Sequence, residues 1–212
     1  MHYPAFIKPG DTIGIPAPSA GVGHKLEHFD RALAYLKKAG FSTQETASVR
    51  YNGIISTDAT TRARELESCF LDDKIKAIIT AAGGDFLMEM LPELDFSILL
   101  QHPKWLMGMS DPSTLLFILP VCYDMATLYG NNIGGFDQNP ELRSQKDALA
   151  FLRGEYPVQE NYAWYYVGKG AEDLPKEDVY WQTPNGAVDM QGRFIGGSLM
   201  HCGILLEHLT IG

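Results

Sequence analysis

Cysteine and positive charge are both scarce in this chain. Its three cysteines, Cys69, Cys122 and Cys202, are scattered over 212 residues with no Cys-x-x-Cys pair. That excludes a disulfide framework and a zinc knuckle, and fits a reducing compartment. Lys and Arg number 17 against 26 Asp and Glu, a net charge of -9. The field that draws a protein to nucleic acid or to an anionic membrane is therefore missing, and neither is expected as a partner. Apolar runs are short: none reaches the ~18 residues that span a bilayer. The N-terminal stretch MHYPAFIKPGDTIGIPAPS has no charged segment followed by an apolar core of the kind that directs export. No loop ends in the Lys-Ser or Lys-Thr of a phosphate cradle, and Gly21-Val22-Gly23 is followed by Leu26 where a dinucleotide fingerprint needs its third glycine. The expectation is a cytoplasmic protein that works without a cofactor.

Strand-length apolar runs alternate with stretches of helical period through residues 1–154, the pattern of crossover units around a parallel sheet, so the fold class is α/β. Strands are expected at residues 12–17, 41–49, 75–80, 104–109 and 126–129. Helices are expected from Leu26 to Gly40, after a cap at Thr57 or Asp58, at 86–91, at 115–121 and at 140–152. After Gly154 the composition changes. Tyr156, Tyr162, Trp164, Tyr165, Tyr166, Tyr180 and Trp181 crowd together among Gly168, Gly170, Pro175 and Pro184 without helical period. Residues 155–212 thus read as a linker and the incomplete start of a smaller, β-rich domain.

The sharpest local signal is Gly108-Met109-Ser110-Asp111, a serine between a strand end and a helix start, where a tight turn presents the hydroxyl above the sheet. The helix N-terminus adds amide N–H groups that stabilise charge developing on an oxygen. A plain helix cap by Ser110 or Asp111 explains the same spacing. Gly83-Gly84 follows another strand of the same sheet and faces the same side, so it can bring bare backbone to one ligand with Ser110, or simply make a turn. His24-Lys25-Leu26-Glu27-His28 matches the H-x-x-E-H pattern of one metallopeptidase group, but zinc needs a third ligand and Leu26 and Phe29 define the buried side, so no metal is expected. The aromatic cluster serves core and interface, or a platform on which Trp164 or Trp181 stacks on a flat ligand.

Taken in order, Gly10-Asp11-Thr12-Ile13-Gly14-Ile15 with Ala17-Pro18-Ser19, Ser56-Thr57-Asp58 with Arg62-Ala63, Ala82-Gly83-Gly84-Asp85, Pro103-Lys104 with Gly108-Met109-Ser110-Asp111, and Gly196-Gly197-Ser198-Leu199 resemble the serine LD-carboxypeptidase family. That family includes the murein tetrapeptide carboxypeptidases and the microcin C self-immunity peptidases. The resemblance implies a flavodoxin-like domain bearing the nucleophile Ser110, with an oxyanion hole from the N–H groups of Gly84 and Asp111. It also implies a glutamate and a histidine, both past residue 212, that complete a Ser-Glu-His triad, so the chain reads as truncated and inactive as it stands. Glu207 and His208 cannot replace that pair, because adjacent helical positions point about 100° apart. His201 and His208 read as helix residues near a surface. Ser198 stands where the family has asparagine, and Met109 where it has tyrosine. Gly83-Gly84-Asp85 and the aromatic insertion are similar to the microcin C immunity branch. The implied substrate is then an aminoacyl sulfamoyl adenylate, with Gly83, Trp164 and Trp181 as substrate-binding residues and a homodimer as the assembly. A murein tetrapeptide LD-carboxypeptidase is the alternative within the enzyme class, and a non-catalytic remnant the alternative outside it.

Overall fold

The computed structural model describes residues 1–137, 143–167 and 176–209. The chain divides into two compact units, one of Met1–Tyr156 with Ile195–Gly212 and one of Pro157–Phe194. The first unit holds a parallel sheet of β1 (Thr12–Ile15), β2 (Ser42–Glu45), β3 (Ile75–Ile79), β4 (Trp105–Gly108) and β5 (Leu128–Tyr129), in the order β2-β1-β3-β4-β5. This is the doubly wound order expected of a flavodoxin-like domain. Its helices are α1 (Leu26–Lys38), α2 (Ala59–Leu71), α3 (Phe96–Gln101), α4 (Ser113–Tyr123), α5 (Ser144–Leu152) and α6 (Leu199–Leu209). The second unit contains an antiparallel pair, β6 (Trp164–Tyr166) and β7 (Lys176–Asp178). Among the described residues, no helix is long and apolar enough to cross a membrane.

Alternation along the strands builds two cores. Ile13, Ile15, Ala77, Ile79, Trp105 and Met107 face α1 and α5, while Ile75, Ile78 and Leu106 face α2, α3 and α4. Strands buried on both faces read as continuous apolar runs, which is why they were visible in the sequence. Gly14 is glycine because a Cβ there would lie 2.9 Å from the Ile75 side chain. Asp58 caps α2, its carboxylate accepting the Thr61 N–H at 2.9 Å.

Local readings differ from the structure in three places. The helix expected at 86–91 is a 3-10 helix over Leu87–Glu93, since Pro92 has no N–H for an α-helical bond, and α3 follows it unannounced. Leu26 is exposed; α1 buries Phe29, Ala32 and Leu36 instead. The last helix before the composition change begins at Ser144, and residues 138–142 lie outside the described residues.

At the edge where the strands begin, the buried Lys104 ammonium donates to the carbonyls of Cys69 at 2.9 Å and Asp72 at 2.6 Å, closing the C-terminal end of α2. Burial pushes the Lys104 ammonium below, and the neighbouring Cys69 thiol up to about 12. Unfolding frees that thiol to ionise near its ordinary value of about 8.5. Its contribution to stability is therefore complete below that pH and declines as pH rises toward 12, by about 1.4 kcal/mol per unit. Denaturation titrations from pH 8 to 10.5 should show a shallower loss of stability in Cys69→Ala than in the parent. Parallel slopes would contradict the assignment.

Candidate active site

Loops from the C-terminal ends of β1, β3 and β4 meet above the sheet, the edge where doubly wound folds place their ligands. The β4 loop is Met109-Ser110-Asp111-Pro112. Ser110 has φ 66°, a left-handed conformation that side chains other than glycine rarely adopt. Ser110 is half-buried, and no side chain among the described residues hydrogen-bonds its hydroxyl. Neither Ser110 nor Asp111 caps α4, whose N-cap is Pro112 without a side-chain bond. The Ser110 and Asp111 carbonyls instead accept the N–H groups of Ser113 at 2.8 Å and Thr114 at 3.1 Å, which starts the helix from the backbone.

The β3 loop arrives against this serine. A Cβ on Gly83 would lie 2.9 Å from Ser110 Cβ and 3.0 Å from its Oγ, so only bare backbone fits there. Gly84 has φ 151°, and a Cβ on it would lie 2.2 Å from Ser19 Oγ in the β1 loop. Among the described residues, the amides of Gly84 and Asp111 donate to no acceptor. The two turns that the sequence placed on one side of the sheet thus do converge, with unspent donors beside a presented hydroxyl.

Asp111 holds the three loops together. Its Oδ2 accepts the Ser19 hydroxyl at 2.5 Å and the Leu87 N–H at 2.9 Å, all of it buried. Its Oδ1 lies 3.7 Å from His201 Nε2 on α6. His201 is only 6% exposed, which corrects its reading as a surface residue. It lies on the face that α6 also uses to bury Cys202 and Leu205. Its Nδ1 meets Ser198 Oγ at 2.8 Å, and the Ser198 N–H donates to Ser113 Oγ at 3.0 Å. The Gly196-Gly197-Ser198 segment therefore runs beside the start of α4, three residues past Ser110. The side chains of Glu207 and His208 lie outside the described residues.

Arg62 braces the same loops from below. Fully buried, it donates to the carbonyls of Pro18 at 3.1 Å and Phe86 at 2.7 Å and pairs with Glu89 at 2.9 Å. Two residues that sequence reasoning missed complete the site's frame. Thr80 follows β3 and Asn132 follows β5, and their side chains bond at 2.6 Å. The signal available for Asn132 was an Asn-Asn pair one glycine past a strand at the ligand-bearing edge.

Trp164 and Trp181 belong to the second unit. Trp164 lies on β6 with the Lys176 ammonium 4.0 Å from its ring centroid, and Trp181 sits exposed in the loop after β7. Of the His24/His28 pair, His28 is held by other side chains. His28 Nδ1 bonds Asp137, which also takes the Arg31 guanidinium at 2.8 and 2.9 Å. No cluster of three metal-ligating side chains occurs among the described residues.

Asp111→Ala would strand the Ser19 hydroxyl and Leu87 N–H without an acceptor in a buried site. It should cost about 2–4 kcal/mol in urea denaturation; a loss under about 0.5 kcal/mol would show that the carboxylate does not hold the loops.

Comparison with known proteins bears on what this arrangement is. Residues 13–130 match the LD-carboxypeptidase N-terminal domain. A putative carboxypeptidase of Vibrio cholerae is 28% identical over 211 residues, covering 94% of this chain and 63% of its own length. The microcin C7 self-immunity protein MccF of Escherichia coli is 30% identical over 213 residues, covering 90% of this chain and 59% of its own. The chain thus spans about three fifths of each of these relatives. The structure of MccF in complex with aspartyl sulfamoyl adenosine superposes with a TM-score of 0.75 at 23% identity, over 94% of this chain and 64% of that one, and shows the shared fold. With the family's domain covering the sheet and all three site loops, the chain belongs to the LD-carboxypeptidase family.

Proposed function

We propose that Ser110 is the nucleophile of a hydrolase that cleaves a small acyl-amide. One observation carries the reading: a serine held at φ 66° between β4 and α4, packed on the bare backbone of Gly83. Such strain is retained where a reactive oxygen must stand clear of its own helix. In the proposed reaction Ser110 Oγ attacks the carbonyl carbon, and the carbonyl electron pair moves to oxygen. The Gly84 and Asp111 amides, which have no acceptor within the described residues, receive that oxyanion. The serine proton passes to a histidine base and then to the departing amine, with a glutamate orienting the imidazole, the two further triad members that the resemblance implies. Collapse of the intermediate breaks the amide, and water releases the acyl group from Ser110.

For the substrate we propose an aminoacyl sulfamoyl adenylate. The 30% identity to MccF along most of the chain supports this choice, as does the tryptophan-bearing second unit, in which Trp164 or Trp181 would stack on the nucleobase. A murein tetrapeptide is the second reading, favoured by the family's LD-carboxypeptidase domain. We further propose that the enzyme acts in the cytoplasm as a homodimer.

Incubation of the full-length protein with aspartyl sulfamoyl adenylate and with a murein tetrapeptide, followed by mass spectrometry, is expected to show cleavage of the first. Cleavage of the tetrapeptide alone would move the assignment to wall recycling. Ser110→Ala should lower turnover on the order of 10⁴-fold or more while the protein stays folded. Undiminished turnover in that variant would reject Ser110 as nucleophile.

A further inference from the structure

The left-handed turn at Ser110 has to be imposed by its surroundings, because a serine gains nothing by adopting it. On the C-terminal side, α4 holds the Ser110 carbonyl. On the N-terminal side the backbone ladder stops short: β4 ends at Gly108, whose carbonyl accepts the N–H of Gly130, just past β5, at 3.0 Å. Met109, the residue directly before Ser110, is held by a side chain. Asn132 Oδ1 accepts the Met109 N–H at 3.0 Å, and Asn132 Nδ2 donates to the Met109 carbonyl at 3.2 Å. A single carboxamide thus takes the place of the strand residue that β5 lacks.

The arrangement is specific in its chemistry. Thr80 Oγ1, fully buried, donates to Asn132 Oδ1 at 2.6 Å. Reversing the amide would set its NH2 against the Met109 N–H and its oxygen against the Met109 carbonyl, so only the observed orientation satisfies every group. Asn132 is the N-cap residue of the short helix Ile133–Phe136 yet makes no capping bond; its amide is committed to Met109. The Ile133 N–H donates to the Thr80 carbonyl at 3.0 Å and fixes the loop that carries Asn132. The glycine of the Gly-x-Ser-Asp turn belongs to the same device. A Cβ on Gly108 would lie 2.4 Å from Thr80 Oγ1 and 3.1 Å from Asn132 Oδ1. Glycine at 108 is therefore what lets the Thr80–Asn132 pair reach the turn.

We propose that Asn132, oriented by Thr80, is the positioning residue that clamps the backbone before Ser110 and keeps the nucleophile in its strained conformation. The proposal rests on Ser110 being the nucleophile, and it assigns Asn132 no contact with substrate. Its test measures the rate of Ser110 modification by a fluorophosphonate, the thermal midpoint, and hydrogen exchange at the Met109 amide in full-length protein. Asn132→Ala should slow modification about 10- to 100-fold, speed Met109 exchange, lower kcat with KM unchanged, and leave the thermal midpoint within a few degrees. Thr80→Ser, which keeps the hydroxyl, should behave as the parent, and Thr80→Val should be slowed. That pair decides the matter if Asn132→Ala does not fold. Modification of Asn132→Ala at the parental rate, or equal rates for Thr80→Ser and Thr80→Val, would overturn the clamp. If the parent itself is not modified at Ser110, the hydrolase reading fails, and unchanged Met109 exchange in the variants would then refute the clamp on its own terms.

Discussion

A buried carboxylate must be satisfied or it destabilises the fold around it, and Asp111 meets that requirement by drawing on two other loops. It accepts a hydroxyl from the β1 loop and an amide from the start of the 3-10 helix that follows the β3 loop, while itself belonging to the β4 loop. Three connections that share no sequence proximity are thereby locked to one another. Arg62 repeats the logic with opposite polarity, offering donors to carbonyls of the β1 and β3 loops. A parallel sheet brings its strand ends to one edge but does not by itself set the conformation of the loops beyond them. In this protein, two buried charges do so.

Most of the architecture was legible because strands buried on both faces leave unbroken apolar runs, and IKAII and WLMG stand out against their flanks. The location of the Ser110 turn was legible for a related reason: Gly108 and the Gly83-Gly84 pair are small where the backbones of two loops and a side-chain pair crowd together. What the sequence could not display were interactions between a side chain and distant backbone. Asn132 bonds a residue 23 positions away, and Arg62 reaches carbonyls 44 and 24 positions away. No local pattern encodes such partners. His201 was misread for the opposite reason, since an apolar helix of mixed periodicity does not declare which flank will be covered.

The two ends of the sheet are put to different uses. Where the strands begin, Lys104 spends its donors on the carbonyls that finish α2, and the polar groups there close on one another. Where the strands end, the amides of Gly84 and Asp111 are left unspent beside a hydroxyl held off its preferred backbone geometry. Unused donors and backbone strain are unfavourable for folding, and they gather at one edge, a distribution that reads as chemical purpose more than as packing.

The first unit is interrupted in sequence: Pro157–Phe194 form a unit of their own, and the chain then returns as α6 to pack on α4. A ribosome therefore emits every strand of the sheet well before the helix that buries His201 against it. The nascent domain has to persist with that flank of α4 bare, a window in which a chaperone or a premature encounter with another nascent chain would find its foothold.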